Sequence, residues 1–151
     1  MNETQKESLQ RFLTTALAAD TVEILKAALL SGGAVQENWA LDLQVSGGEY
    51  SGLLNTVLRC DSPTAGVAIS HGRAQEFALL STVYAAGVTV PQPLWLCEDS
   101  SVFGRPFFIM RRIRGTAAGH VLVKAGGVRN RAELAARLGR ELAKIHSVRP
   151  P

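Results

Sequence analysis

The sequence predicts an α+β fold, an antiparallel sheet of about five strands packed with one long helix. Three observations carry this. Short runs with period-two alternation are joined by brief Gly-, Asp- and Pro-containing turns, which suits antiparallel neighbours. Runs with helical periodicity stand at the start, the middle and the end of the chain. Apolar residues make up 46% of the 151 and charged residues 19%, enough to build a core.

The elements follow in order. Glu3 to Ala19 is helical, with Leu9, Phe12, Leu13, Ala16 and Leu17 on one face. Val22 to Leu30 is short and apolar; periodicity alone does not separate strand from helix, and the Ser31-Gly32-Gly33 turn after it favours a strand. Gln36 to Val45 alternates, placing Trp39, Leu41, Leu43 and Val45 on one side of a half-buried strand. Gly47-Gly48 turns it into a return strand from Leu53 to Arg59. Gly66 to Ala86 is the longest helical candidate, stopped by Gly87, with Ile69, Glu76, Leu80 and Val83 sharing a face. Leu94 to Cys97 is a short strand. The segment Glu98-Asp99-Ser100-Ser101 reads as a turn into a last strand from Val102 to Met110. A Gly/Ala-rich connector follows. Asn130 to Glu133 then fits a capping box for a helix that buries Leu134, Leu138, Leu142 and Ile145 and ends at His146.

Composition narrows the function classes. Cys60 and Cys97 are far apart and no C-x-x-C or clustered His accompanies them, so neither a zinc site nor a disulfide framework is expected. No apolar run reaches the ~18 residues of a membrane span. The polar, acidic start is unlike a signal peptide, and a cytoplasmic location is the expectation. The net charge of +3 is small, and no aromatic residues interleave the cluster Arg105, Arg111, Arg112 and Arg114, so a nucleic-acid partner is not expected.

Three features form a constellation. Ser31-Gly32-Gly33 opens a hairpin, and glycines let backbone N–H groups approach phosphate oxygens. Arg59 ends the next strand. Glu76 lies on an otherwise apolar helix face, where an unpaired carboxylate costs several kcal/mol, so it should have a partner, and Arg59 is the natural one. Each feature also has an ordinary reading: a simple turn, a surface arginine, a solvent-edge glutamate. None of His71, His120 and His146 has a paired carboxylate at consistent spacing, and no separate acid–base site is read from them.

Five segments carry a resemblance: Leu30 to Trp39, Val57-Leu58-Arg59, Glu76 followed by Ala86 to Pro93, Gly104 to Gly115, and Leu138 to His146. Together, in this order from about residue 22 to 147, they resemble the aminoglycoside-phosphotransferase-like, kinase-like enzymes. They look closest to the branch related to the kinase-like part of acyl-CoA dehydrogenase family members.

The resemblance implies a protein-kinase-like N-terminal lobe over 21–115, preceded by an N-terminal helix (1–20). A connector and the start of a truncated C-terminal lobe would fill 116–151. It implies ATP as ligand, with Mg²⁺ only in a complete enzyme, and phosphoryl transfer to a hydroxyl acceptor. Gly32, Gly33, Val35, Gln36 and Asn38 would cover the phosphates. Arg59 would contact them and pair with Glu76. Met110, Arg111 and Ile113 would line the hinge, where backbone groups bond adenine.

Several departures stand out. Val35 replaces a frequent Ser, Arg59 replaces the Lys of many kinases, and Arg112 and Arg114 stand where acidic residues are expected near the hinge. The catalytic Asp and the metal-binding Asn and Asp should follow the last helix, and the 151 residues contain no counterpart. No catalytic or metal-binding residue is therefore assigned, and the chain alone is not expected to catalyse. The alternative is a non-catalytic interaction module that self-associates, or binds a missing lobe, through apolar surface around Leu134, Leu138 and Leu142.

Overall fold

The computed structural model describes residues 1–30, 36–62, 72–115 and 131–149. In chain order the elements are α1 (Glu3–Ala16), β1 (Thr21–Leu29), β2 (Gln36–Ser46), β3 (Gly52–Asp61), α2 (Arg73–Ala85), β4 (Pro93–Cys97), α3 (Ser100–Phe103), β5 (Phe107–Arg111) and α4 (Arg131–Ser147). The five strands form one sheet in the order β1-β2-β3-β5-β4, and every pairing is antiparallel. This is the α+β architecture expected of a kinase-like N-terminal lobe.

Side-chain alternation gives the sheet two different faces. One carries Ile24, Leu41, Leu43, Val45, Leu54, Leu58, Cys60, Phe107 and Ile109, and α1 lays Leu9 and Leu13 against it to form the main core. The start of α1 is set by a capping box: Asn2 accepts from the Gln5 N–H, and the Gln5 side chain accepts from the Asn2 N–H. Gln10 accepts the Ile24 N–H at 3.0 Å, which ties α1 to β1. The β2–β3 turn needs glycine at Gly48, where φ is +71° and a Cβ would meet the Ala18 and Leu17 carbonyl oxygens at 2.9 and 3.0 Å. A bulge between Ile24 and Lys26 shifts the β1 register and breaks up an otherwise regular edge strand.

The opposite face receives α2, through Phe77 against Phe108 (ring centroids 5.8 Å apart) and through Glu76. No described helix is long and apolar enough to cross a membrane.

Two expectations are corrected. The strand expected from Val102 to Met110 begins only at Phe107, and Ser100–Phe103 is a helical turn. Asp99 caps that turn by accepting the Ser101 N–H at 2.8 Å, and Gly104 closes it in the left-handed conformation. The Asp-Ser-Ser string, read as a turn, is thus a cap.

The helix expected to bury Leu134, Leu138, Leu142 and Ile145 leaves all four exposed. α4 is held by polar contacts instead. Glu141 accepts the Thr89 N–H at 2.9 Å, and Lys144 donates to the Gly87 carbonyl at 3.2 Å. The proposed cap Asn130 and the helix start at Gly66 to Ser70 lie outside the described residues, as do Gly32, Gly33 and Val35.

The Glu141 carboxyl is held down from the ordinary 4.5 to about 2, first by its hydrogen bond from Lys144 and then by the Thr89 N–H. A depressed carboxylate contributes stability above its unfolded pKa and loses it as pH falls through the folded one. The contact should therefore weaken between pH about 4.5 and about 2. An NMR titration should show the Thr89 amide proton moving with a midpoint near the lower end. A midpoint at the ordinary glutamate value contradicts the contact.

Thr56, fully buried in β3, has a hydroxyl with no hydrogen-bond partner among the described residues. An unmade buried hydrogen bond is costly. Thr56→Val, close in shape and without the hydroxyl, should raise stability by about 1 kcal/mol in chemical denaturation. A loss of stability would show that the hydroxyl is satisfied.

Candidate functional site

The face that receives α2 is organised in rungs, because residues opposite each other across neighbouring strands line up. One rung runs Ala28, Ala40, Val57, Met110 across β1, β2, β3 and β5, as read from the pairings Ala28↔Ala40, Ala40↔Val57 and Val57↔Met110. It is wholly apolar, small in its centre, and Ala40 and Val57 are buried. Two residues along the strands, about 7 Å away, the next rung pairs Asn38 with Arg59 and Arg59 with Phe108. On the other side, equally spaced, lies Lys26–Asp42–Asn55. An apolar strip thus separates two polar ones.

Arg59 is the centre of the first polar rung. Its Nε donates to Glu76 Oε1 at 2.9 Å, one Nη to Asn38 Oδ1 at 3.2 Å, and the other to Gln36 Oε1. The structure therefore brings together Gln36, Asn38, Arg59 and Glu76 of the expected site. The side chains of Gln36 and Asn38 face the guanidinium. β3 positions Arg59 by register, and α2 brings in Glu76 because Phe77 packs on Phe108. Both members of the pair are partly exposed, with side chains 23% and 29% accessible, so the arginine can reach an added ligand.

Sequence reasoning missed Arg73 and Asp61. Arg73, the first residue of α2, has a buried side chain that pairs with Glu76 Oε2 and lies 3.3 Å from Asp61 Oδ1. The signal was available as the i, i+3 spacing of Arg73 and Glu76.

The hinge residues follow β5. Met110 closes the apolar rung, while Arg111 and Ile113 are exposed. The Arg111 N–H donates to the Gln92 carbonyl at 2.8 Å and the Arg112 N–H to the Asn55 carbonyl at 3.1 Å. The Ile113 N–H has no backbone partner among the described residues.

The rim is less basic than the sequence suggests. Arg112 donates to Asp42 at 2.6 Å and also to Asn55. Arg105 pairs with Glu37 at 3.2 Å, and Arg111 donates to the Gln92 side chain. The acids lie far away in sequence, so the cluster appeared unpaired. Cys60, buried among these groups, has its thiol pushed up to about 11 by burial, which keeps it from acting as a nucleophile near neutral pH. Among the described residues no group of three or more His, Cys, Asp or Glu is placed to hold a metal ion.

The profile of the phosphotransferase enzyme family aligns with residues 29–151. The chain belongs to this family. Its match begins at the end of β1 and takes in the whole Arg59–Glu76 site, leaving α1 outside.

Among curated relatives, acyl-CoA dehydrogenase family member 11 of Pongo abelii is 28% identical over 97 residues, 64% of this chain. The human protein of the same name is 26% identical over 97 residues. Acyl-CoA dehydrogenase family member 10 of Mus musculus is 33% identical over 79 residues, 52% of this chain. The chain spans 12% of the length of the first two and 7% of the third. The branch expected from the sequence is the one these relatives represent.

Proposed function

We propose that this chain is the nucleotide-binding lobe of an ATP-dependent phosphotransferase acting on a small hydroxyl-bearing acceptor. The observation that carries the reading is the Arg59–Glu76 ion pair joining β3 to α2, one rung from an apolar strip. Phosphoryl transfer relies on positioning and on charge stabilisation of phosphate oxygens, and such a cation–carboxylate pair serves both.

The residues present fit the ligand. The strip Ala28, Ala40, Val57 and Met110 offers a flat apolar bed for a base. Arg59 supplies charge where the phosphates would lie, and Gln36 and Asn38 flank it. Gly32, Gly33 and Val35 would contribute backbone N–H groups. The Ile113 N–H and the Arg111 carbonyl would meet the base edge, next to Met110 at the end of the strip. Bound ATP supplies the phosphoryl group.

Mg²⁺, the catalytic carboxylate and the acceptor site belong to the rest of the enzyme, so these 151 residues alone would bind without transferring. Residues 21–115 form the lobe in this reading, and 116–151 lead into the second lobe. The protein works in the cytoplasm and uses no nucleic-acid partner.

Calorimetric titration of ATP into the chain, with and without Mg²⁺, tests the reading. Saturable binding supports it, and no heat at millimolar ATP removes it.

One observation favours a second reading, a protein-interaction module. Leu134, Leu138, Leu142 and Ile145 make an exposed apolar stripe along α4, with Leu138 62% accessible. Concentration-dependent self-association without ATP binding would favour that reading over the first.

A further inference from the structure

Arg73 is out of place by ordinary rules. It is a cation in the first turn of a 13-residue helix, where the helix dipole disfavours positive charge. Its side chain is only 1% accessible, and burying a guanidinium is expensive without close partners. Its partners include Glu76, one turn on in α2, and Asp61, the last residue of β3. Arg73 thus ties the start of α2 to the end of the strand that carries Arg59.

The Glu76 carboxylate is divided between two arginines: Oε1 faces Arg59 and Oε2 faces Arg73. The two are not equivalent. Arg59 is partly exposed and also spends donors on the neutral side chains of Gln36 and Asn38, whereas Arg73 is buried. Turning Arg59 toward a phosphate would strip Glu76 of one partner. A half-buried carboxylate left unpaired is costly, and that cost would oppose binding. With Arg73 in place, the carboxylate keeps a charged, anchored neighbour throughout.

We propose that Arg73 is a positioning residue that holds Glu76 aimed at Arg59 and keeps it paired when Arg59 engages a phosphate. The proposal rests on the nucleotide reading of the site. Arg73 touches no phosphate itself; it acts through Glu76. The planar fork matters, because one guanidinium faces both Glu76 and Asp61, and a lysine ammonium on a flexible stem would hold them less well.

The test uses the whole chain as wild type, Arg73→Met and Arg73→Lys, with Ile24→Val on the opposite face of the sheet as a stability control. Two quantities are read: ATP affinity by calorimetry, and the NMR Nε–Hε resonance of Arg59, which reports its bond to Glu76. Arg73→Met should weaken ATP binding by about tenfold and shift or broaden the Arg59 resonance. Arg73→Lys should recover part of the affinity, and Ile24→Val should change neither quantity. If Arg73→Met does not fold, Arg73→Lys decides, with about threefold weaker binding and a moved Arg59 signal expected. A folded Arg73→Met, or failing that Arg73→Lys, with wild-type affinity and an unmoved signal overturns the proposal. Wild type that takes up no ATP is a different failure. It removes the nucleotide reading, and this proposal with it.

Discussion

Arg59→Ala should weaken ATP binding by about ten- to a hundredfold, the loss expected when a hydrogen-bonded charge contact worth about 1.5–3 kcal/mol is removed. The lobe should remain folded. Arg59 is partly exposed, and Glu76 keeps Arg73 as a neighbour when Arg59 is gone, so no buried carboxylate is orphaned. The cost in stability should be about 1 kcal/mol, in the range of partly exposed ion pairs. Calorimetry reads the affinity, and a thermal melt confirms the fold. An Arg59→Ala variant that binds as tightly as wild type would detach the ion pair from nucleotide binding and leave it as a strand–helix tie.

Phe107→Ala should have the opposite profile, costing about 3–5 kcal/mol of stability. Phe107 is fully buried on the α1 side of the sheet, with ring centroids 5.4 Å from Phe12 and 5.8 Å from Phe103. Truncation removes the ring's own burial and leaves a cavity between α1, α3 and β5 that those rigid neighbours close only in part. In a domain of this size the melting temperature should fall by about 10 °C. A drop of only one or two degrees would mean that α1 does not clamp the sheet as described. The comparison separates the faces: Phe107 and Phe108 are neighbours in sequence, yet one serves the core and the other packs on α2 beside Arg59.

The alternation of Trp39, Leu41, Leu43 and Val45 was enough to place β2 and its buried side, because a period of two maps directly onto the two faces of a strand. The same logic made the pairing of Arg59 with Glu76 legible. A carboxylate on an apolar helix face demands a partner, and the nearest cation on the preceding strand provides it.

Arg73 was only half legible: its i, i+3 spacing to Glu76 stands in the sequence, but its burial and its pairing with Asp61 depend on the end of β3, which comes beside it only in the fold. The neutralisation of Arg105 by Glu37 and of Arg112 by Asp42 was hidden for a related reason: those partners lie 68 and 70 residues away in sequence. The apolar rung was also invisible in one dimension. Ala28, Ala40, Val57 and Met110 align only after the β1 bulge is counted into the register. The burial expected for α4 failed because an amphipathic pattern identifies a face without supplying what covers it.

The most direct test of the central claim is methyl NMR of Ala28, Ala40 and Val57 during titration with ATP. A purine ring over the rung would shift the methyl signals of these three residues by its ring current, while methyls on the opposite face, such as those of Leu43 and Ile109, stay in place. That pattern is the predicted result. Saturable ATP binding that moves none of these methyls would contradict the placement of the nucleotide on this face of the sheet.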